Sequence, residues 1–427
     1  MSSLTHIRLL LLVASFCSGC EKTNPSYCPG ANPNNNCLDD GGGSGRCSTN
    51  AECGAPTAIC DVTGTMTCVE CLPNQAAACG GATPACGDDH ACRGCIAHVE
   101  CASSNACLPD GSCADEAQVA YVAGGGSGTQ CTRLTPCGTL AAGLTTMRTT
   151  IKIVTGTVKD TDTTTINGRA VTIVADPGAK LDRDGDGVIL EVRSNGADVK
   201  IFDLAITGQT GIADSAISVV PNGGAPKLSL TRVNISGNQG VGTSSTGGTL
   251  TVRQSTISAN QAGGIAVSGV GATFDITNSY IFRNGDNSGS AFGGLNLGIA
   301  VAGTNRLAFN TIIDNEAAIN SGGVACNVAT FVGPNNIIAR NQLAGSTTGV
   351  NAQTSGPCTY PTSKVQSDVA GLAFEHPDVP APFSYKLTTG STAIDQATTA
   401  VPIEIDHEGD PRPQGTAKDI GADEVAP

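Results

Sequence analysis

The sequence predicts an all-β chain, with a small disulfide-rich repeat region followed by a parallel β-helix. Three observations carry that expectation. The 427 residues hold 55 glycines and 20 cysteines but no tryptophan and only 3% aromatic residues, so a core of packed rings is not available. Val, Ile, Thr, Ser, Asn and Gly are abundant, and they favour strands and tight turns over helices. Two internal repeats of different kinds divide the chain beyond its N-terminal segment.

The chain opens with Arg8, the apolar run LLLLVAS and then FCSGC. A basic start, a short hydrophobic stretch and small residues make an export signal over residues 1–19, too short to span a bilayer as a helix. Ser18-Gly19-Cys20 resembles the lipobox of bacterial lipoproteins, although Cys17 stands where that motif usually has Leu. The resemblance implies lipidation of Cys20, and Glu21 after it implies sorting to the outer membrane or cell surface. Several acyl chains on one cysteine would hold the protein durably on a membrane. Ordinary signal cleavage is the alternative. Residues 20–46 read as a linker, and with Cys17 removed and Cys20 lipidated, 18 cysteines remain, an even number in an oxidising compartment.

Residues 47–118 contain the first repeat. Cys47, Cys71 and Cys95 are 24 residues apart and each opens a block of four cysteines: 47, 53, 60, 68; 71, 79, 86, 92; and 95, 101, 107, 113. Each block can close two bridges, with three pairings open to it. The spacings Cys68-x2-Cys71 and Cys92-x2-Cys95 also suit zinc, but the extra cysteines and the export signal favour disulfides. Few apolar residues and twelve acidic against three basic residues over 20–118 suit a solvated stalk held by cross-links rather than by burial. A cysteine-rich recognition module is the functional alternative.

The second repeat fills residues 119–427. Ile206, Ile235, Ile257, Ile281, Ile312 and Ile338 are each followed three residues later by Gln209, Asn238, Asn260, Asn284, Asn315 and Asn341, at intervals of 29, 22, 24, 31 and 26. Ten residues before that anchor stand Val199, Leu228, Leu250, Phe274, Asn305 and Phe331, and eight before it stand Ile201, Leu230, Val252, Ile276, Leu307 and Gly333. A unit this short cannot bury its own inner face and must stack on copies of itself, which a parallel β-helix does at about 4.8 Å per coil. Asparagine at a corner tolerates a left-handed backbone, and its amide bonds the amide one coil away, so Asn238, Asn260, Asn284, Asn315 and Asn341 are expected to form a structural ladder. Gln209 is expected to cap the ladder imperfectly.

The ends of this region carry a resemblance. YVAGGGSGTQCTRLTPCGTLAAGL at the front, with a capping helix expected over Leu140 to Met147, and STAID then IDHEGDPRPQGTAKDIGADE at the back resemble right-handed parallel β-helix proteins of the choice-of-anchor Q domain family. Asp395, Asp406, Gly409, Arg412, Pro413, Gly415, Asp419, Ile420, Gly421, Ala422 and Glu424 carry the terminal signature. The resemblance implies a pectate-lyase-like solenoid on a surface-attached protein and leaves its activity open. Cys131 and Cys137 are placed to pair across a short loop, and Cys326 with Cys358 to tie late coils against fraying.

Candidate chemistry is sparse. Asp182, Asp184 and Asp186 in DRDGDG have the alternation of a calcium loop, but Arg193 occupies the position where an EF-hand has its bidentate Glu, so a plain turn competes with calcium there. Calcium is the one cofactor suggested. Arg283, Asp314 and Arg340 precede the corner asparagines of three successive coils, forming either a register-fixing ion ladder or a catalytic groove, since polysaccharide lyases with this fold use an arginine base beside calcium. The stretches 220–227 and 284–292 look like loop insertions, with Phe292 the one ring available for stacking on a sugar. A net charge of −14 argues against nucleic acid as a partner. The reading is therefore a surface lipoprotein for non-catalytic attachment or glycan recognition, with a polysaccharide lyase or glycoside hydrolase, and a structural spacer, as alternatives.

Overall fold

A computed structural model describes residues 46–426, except 74–77, 287, 299–304, 329–330, 345–349, 379–380 and 399. The export signal, Cys20 and nearly all of the linker lie outside the described residues. Two compact units are present: one reaches Ala78 and includes Asp88–Ala91, the other comprises Cys79–Gly87 and everything from Cys92 onward.

The first unit is a disulfide-bonded fold with little core. Cys47 bonds Cys60 and Cys53 bonds Cys68, across a short antiparallel ribbon of Ile59–Cys60 with Cys68–Val69. In the second unit the third cysteine block shows the same connectivity, Cys95 with Cys107 and Cys101 with Cys113, and Cys79 bonds Cys92. Cys71 is disulfide-bonded too, so no thiol of either C-x2-C pair is left to bind zinc.

In the larger unit three parallel sheets wind into a β-helix. The first has eight strands, from Val119–Val122 to Arg306–Ala308; the second has nine, from Thr157–Lys159 to Lys364–Gln366; the third has eight, from Thr164–Asn167 to Thr354–Ser355. One coil takes one strand from each sheet, as in Asp198–Phe202, Ala205–Gln209 and Ser215–Val220. The register matches the sequence columns: Val199, Leu228, Leu250 and Phe274 pair in one row, and Ile206, Ile235, Ile257, Ile281, Ile312 and Ile338 in another. These isoleucines are fully buried. At the front, Leu140–Thr145 forms a short helix over the first coil, its free amides met by the Thr139 hydroxyl and the buried Asp160 carboxylate.

The expected stalk over 47–118 is not one piece. Its third block buries Ala106 and Ala114 against Val119, Tyr121, Val174 and Phe202 on the outside of the first sheet. Tyr121 donates to the Ser104 carbonyl at 2.6 Å, and Arg133 to the carbonyls of Ala102 and Ser103. Apolar residues on an outer sheet face need cover, and this block supplies it.

The asparagine ladder is continuous. Each Nδ2 of Asn238, Asn260, Asn284 and Asn315 donates to the Oδ1 of the next, at 2.8, 2.9, 3.0 and 2.9 Å, and Asn341 donates to Gln353 Oε1 at 2.9 Å. The left-handed residue is not the asparagine, however. Positive φ falls on the preceding position, Gly208, Gly237, Ala259, Arg283, Asp314 and Arg340. Asparagine is there for its amide alone: each Oδ1 also accepts a backbone N–H of the coil before it, as Asn284 Oδ1 does from Asn260 N at 3.2 Å.

A second ladder fills the corner between the first and second sheets. Ser255, Ser279, Asn310, Asn336 and Ser363 pass hydrogen bonds from coil to coil, again each one residue after a left-handed position. Replacing Asn284 by Ala would strand the Asn260 amide and the Ile257 carbonyl inside the protein. The expected cost is about 3 kcal/mol, read as a fall in the urea midpoint with the m-value unchanged.

Candidate functional site

Alternation along a strand sends every second residue outward, and the apolar columns therefore imply polar rows between them. On the first sheet one outer row runs Lys200, Ser229, Thr251, Asp275, Arg306, and its neighbour runs Asp198, Lys227, Thr249, Thr273. A groove of about 550 Å³ crosses the later strands, lined by Thr249, Thr251, Thr273, Asn305 and Arg306, with Val401 at its side. Asp275 is its charged centre. Arg306 grips that carboxylate with two bonds of 2.7 and 2.6 Å, and Arg253 adds one of 2.6 Å. Burial alone would raise the Asp275 carboxyl, but the bonds from Arg306 and Arg253 outweigh it and hold it below the usual range.

The outer residues of the five strands from Asp198–Phe202 to Arg306–Ala308 include four bases, Lys200, Lys227, Arg253 and Arg306, against two acids, Asp198 and Asp275. This excess of positive charge sits on a chain of net −14. The surface suits hydrogen bonding to hydroxyls and pairing with anionic groups. It is poorly suited to taking a proton, because Asp275 raises the Arg306 pKa further and keeps that guanidinium charged.

A larger cleft of about 940 Å³ lies between the third cysteine block and the first coils, lined in part by Ile96, Val99, Leu108, Pro109, Phe202 and the Asp203–Arg232 pair. Its rim is apolar, with Ile96 and Val99 about four-fifths exposed at 81% and 79%. The smaller groove differs in bringing Asp275 and Arg306 together with a row of threonines.

The arginine column serves another purpose. The segment after residue 370 crosses the outside of the second sheet and buries Tyr280, Ile313, Ile337 and Ala339 under Leu372, Phe374, Tyr385, Leu387 and Ile420. Arg340 forms a two-bond pair with Asp314, at 2.5 and 2.8 Å, and also holds Asp378 and the Pro377 carbonyl. Tyr385 donates to Asp314 at 2.6 Å, and Arg283 lies 3.7 Å over the Phe383 ring. The three residues are brought together as expected, but as fasteners for this cover.

The terminal signature is its clasp. Arg412, 2% exposed, pairs with Glu424 at 2.9 Å and donates to the carbonyls of Asp419 and Gly421. Asp395, Asp406 and Asp419 accept backbone amides of the same segment, and Ala422 N donates to Thr311 of the second sheet.

The aspartates of DRDGDG do not form a loop. Asp182 and Asp184 belong to the strand Lys180–Gly185, which pairs with Ala205–Gln209 around a bulge, and only Asp186 lies in the turn beyond, accepting from the Thr210 hydroxyl at 2.7 Å. Asp182 sits 3.9 Å from Lys159. Four strand spacings, about 19 Å, separate Asp182 from the strand before Arg283. Cys131 bonds Cys137 and Cys326 bonds Cys358. Phe292, only 5% exposed, packs its ring over Gly263 and is not offered to a ligand. The Asp275 cluster has a sequence signal of its own, which the Ile-x-x-Asn motif overshadows: Lys200, Ser229, Thr251, Asp275 and Arg306 all stand nine residues before the anchor.

A family model described as a right handed beta helix region matches residues 215–376. The class is thus a right-handed parallel β-helix protein. The crystal structure of pectate lyase Pel9A is similar at 18% identity and a TM-score of 0.41, covering 72% of this chain and 96% of that one. So loose a superposition carries no argument about activity. No curated protein matches the chain.

Arg340→Ala is expected to loosen the cover around Pro377, Asp378 and Tyr385, seen as faster protease cleavage there and a loss of about 1–3 kcal/mol.

Proposed function

We propose that this is an exported, lipid-anchored surface protein that recognises an anionic polysaccharide through the outer face of its first sheet. One observation carries the reading: a groove that sets threonines, Asn305 and the Asp275–Arg306 pair beside Phe274, Val332 and Val401, inside a basic strip, on a chain that is otherwise acidic. Hydroxyl and amide groups meet sugar hydroxyls, while Lys200, Lys227 and the remaining hydrogen-bonding capacity of Arg253 and Arg306 meet carboxylate or sulfate. Rigid strands hold these groups in place before the ligand arrives, which lowers the ordering cost of binding.

Lyase chemistry has less support. It needs a basic group able to take a proton, and Arg253, Arg306 and Arg340 are engaged with carboxylates while Arg283 is stacked on Phe383 under the cover. Attachment in the manner of choice-of-anchor Q proteins, and lipidation on Cys20, rest on the sequence resemblances. They fit a protein whose binding face must stand at a cell boundary.

The full chain is to be mixed with neutral and acidic polysaccharides, with calcium and with chelator, tracking both binding and new chain ends. Binding of acidic chains that weakens with added salt, without new ends, is the expected result. Arg306→Ala is expected to lower that affinity about tenfold or more. New chain ends that depend on calcium would overturn the reading in favour of a lyase. Separately, Cys20→Ala is expected to abolish incorporation of labelled fatty acid and to release the protein from the membrane fraction.

A further inference from the structure

The cover over the second sheet gathers three carboxylates, one of them, Asp406, shared with the clasp. Asp406, Glu408 and Asp423 each present an oxygen, and these oxygens lie within 4.8 Å of one another. Asp406 is fully buried and Asp423 is 7% exposed. Part of the cluster is satisfied: Asp406 accepts the amides of Gly409, Asp410 and Glu424, and Asp423 accepts that of Leu387 at 2.7 Å. Lys386 lies 2.9 Å from Glu408. The Lys386 ammonium bears on all three carboxylates and the Arg412 guanidinium on Asp406, yet Asp423 is still pushed up to about 7, by burial first and then by the charges of Glu408 and Asp406.

A second observation concerns Tyr280, on a strand of the second sheet. It is 7% exposed, and its hydroxyl has no hydrogen-bond partner. Buried phenols ordinarily find one. The ring stands edge-on to His407, with centroids 4.5 Å apart, and the charges bearing on its hydroxyl include those of Asp423, Glu408 and Asp406. A neutral oxygen, buried and without a partner, on a ring packed against the residue between Asp406 and Glu408, is available as a further ligand for a cation among them. The neighbouring Asn278 also carries a buried, unpartnered oxygen, while its amide nitrogen holds the Ile405 carbonyl.

We propose that Asp406, Glu408 and Asp423 bind a calcium ion, with the Tyr280 hydroxyl as a neutral oxygen ligand. All four donors are oxygens, the set a hard cation takes. The ion would add a tie between the terminal segment and the second sheet beside the Arg412–Glu424 clasp. It is separate from the aspartates of residues 182–186 and does not depend on glycan binding.

Terbium tests this directly, because the chain has no tryptophan and five tyrosines, so sensitised terbium emission reports a tyrosine beside the ion. The full chain is expected to give saturable emission that calcium displaces. Tyr280→Phe is expected to remove most of that emission. Glu408→Gln, at an exposed residue, is expected to weaken calcium binding about tenfold in calorimetry while leaving the calcium-free melting curve unchanged, since site charge sets affinity. Lys386→Met, which removes the competing ammonium, is expected to tighten it, and Asp186→Asn to leave it unaltered. No saturable binding up to about 1 mM calcium, binding untouched by Glu408→Gln, or binding lost in Asp186→Asn would each overturn the proposal.

Discussion

At every corner of the β-helix the chain turns between sheets with its peptide groups cut off from water. Those groups cannot go unbonded, since each buried orphan costs about 1–3 kcal/mol and the corners recur at every coil. Two columns of short polar side chains resolve this, one of carboxamides after the second sheet and one of serines and asparagines before it. Each side chain bonds the coil on either side of it, so a coil that slipped by one residue would lose both partners at both corners. Register is thereby enforced from the corners, and the isoleucine columns can align without having to specify the alignment themselves.

Given fixed register, the three sheets are free to differ outside. The second sheet carries apolar residues outward and is roofed by the terminal segment, while the first is roofed at its early strands by the third cysteine block and at Ala308 of its last strand by Ile403, with the groove between. The charges obey this division. Arg283, Asp314 and Arg340 face the roof and fasten it; Arg253, Asp275 and Arg306 face the open groove. Similar residue types on adjacent faces of one solenoid therefore have different work, and the roof decides which.

What was legible in the sequence was whatever kept both its identity and its spacing. The Ile-x-x-Asn recurrence did so, and it led to the coil, its inner columns and the carboxamide ladder. The second ladder keeps its place five residues before the anchor but alternates between Ser and Asn, so its identity blurred while its position did not. The row through Asp275 was hidden differently, because its residues change in chemical character from coil to coil. Contacts such as Tyr385 with Asp314 join positions 71 residues apart and leave no period to find. DRDGDG misled for a local reason: alternate aspartates look like a cation loop, yet the fully buried Leu181 just before them drew the stretch into a strand.

Because the coils stack in parallel, the open face has a direction. Passing along the outer row from Lys200 through Ser229 and Thr251 to Asp275 and Arg306, a ligand meets a cation, then hydroxyls, then an ion pair. A polymer with distinct ends laid along that row would find its two orientations unequal. A chain threaded backwards would meet the same groups in the opposite sequence.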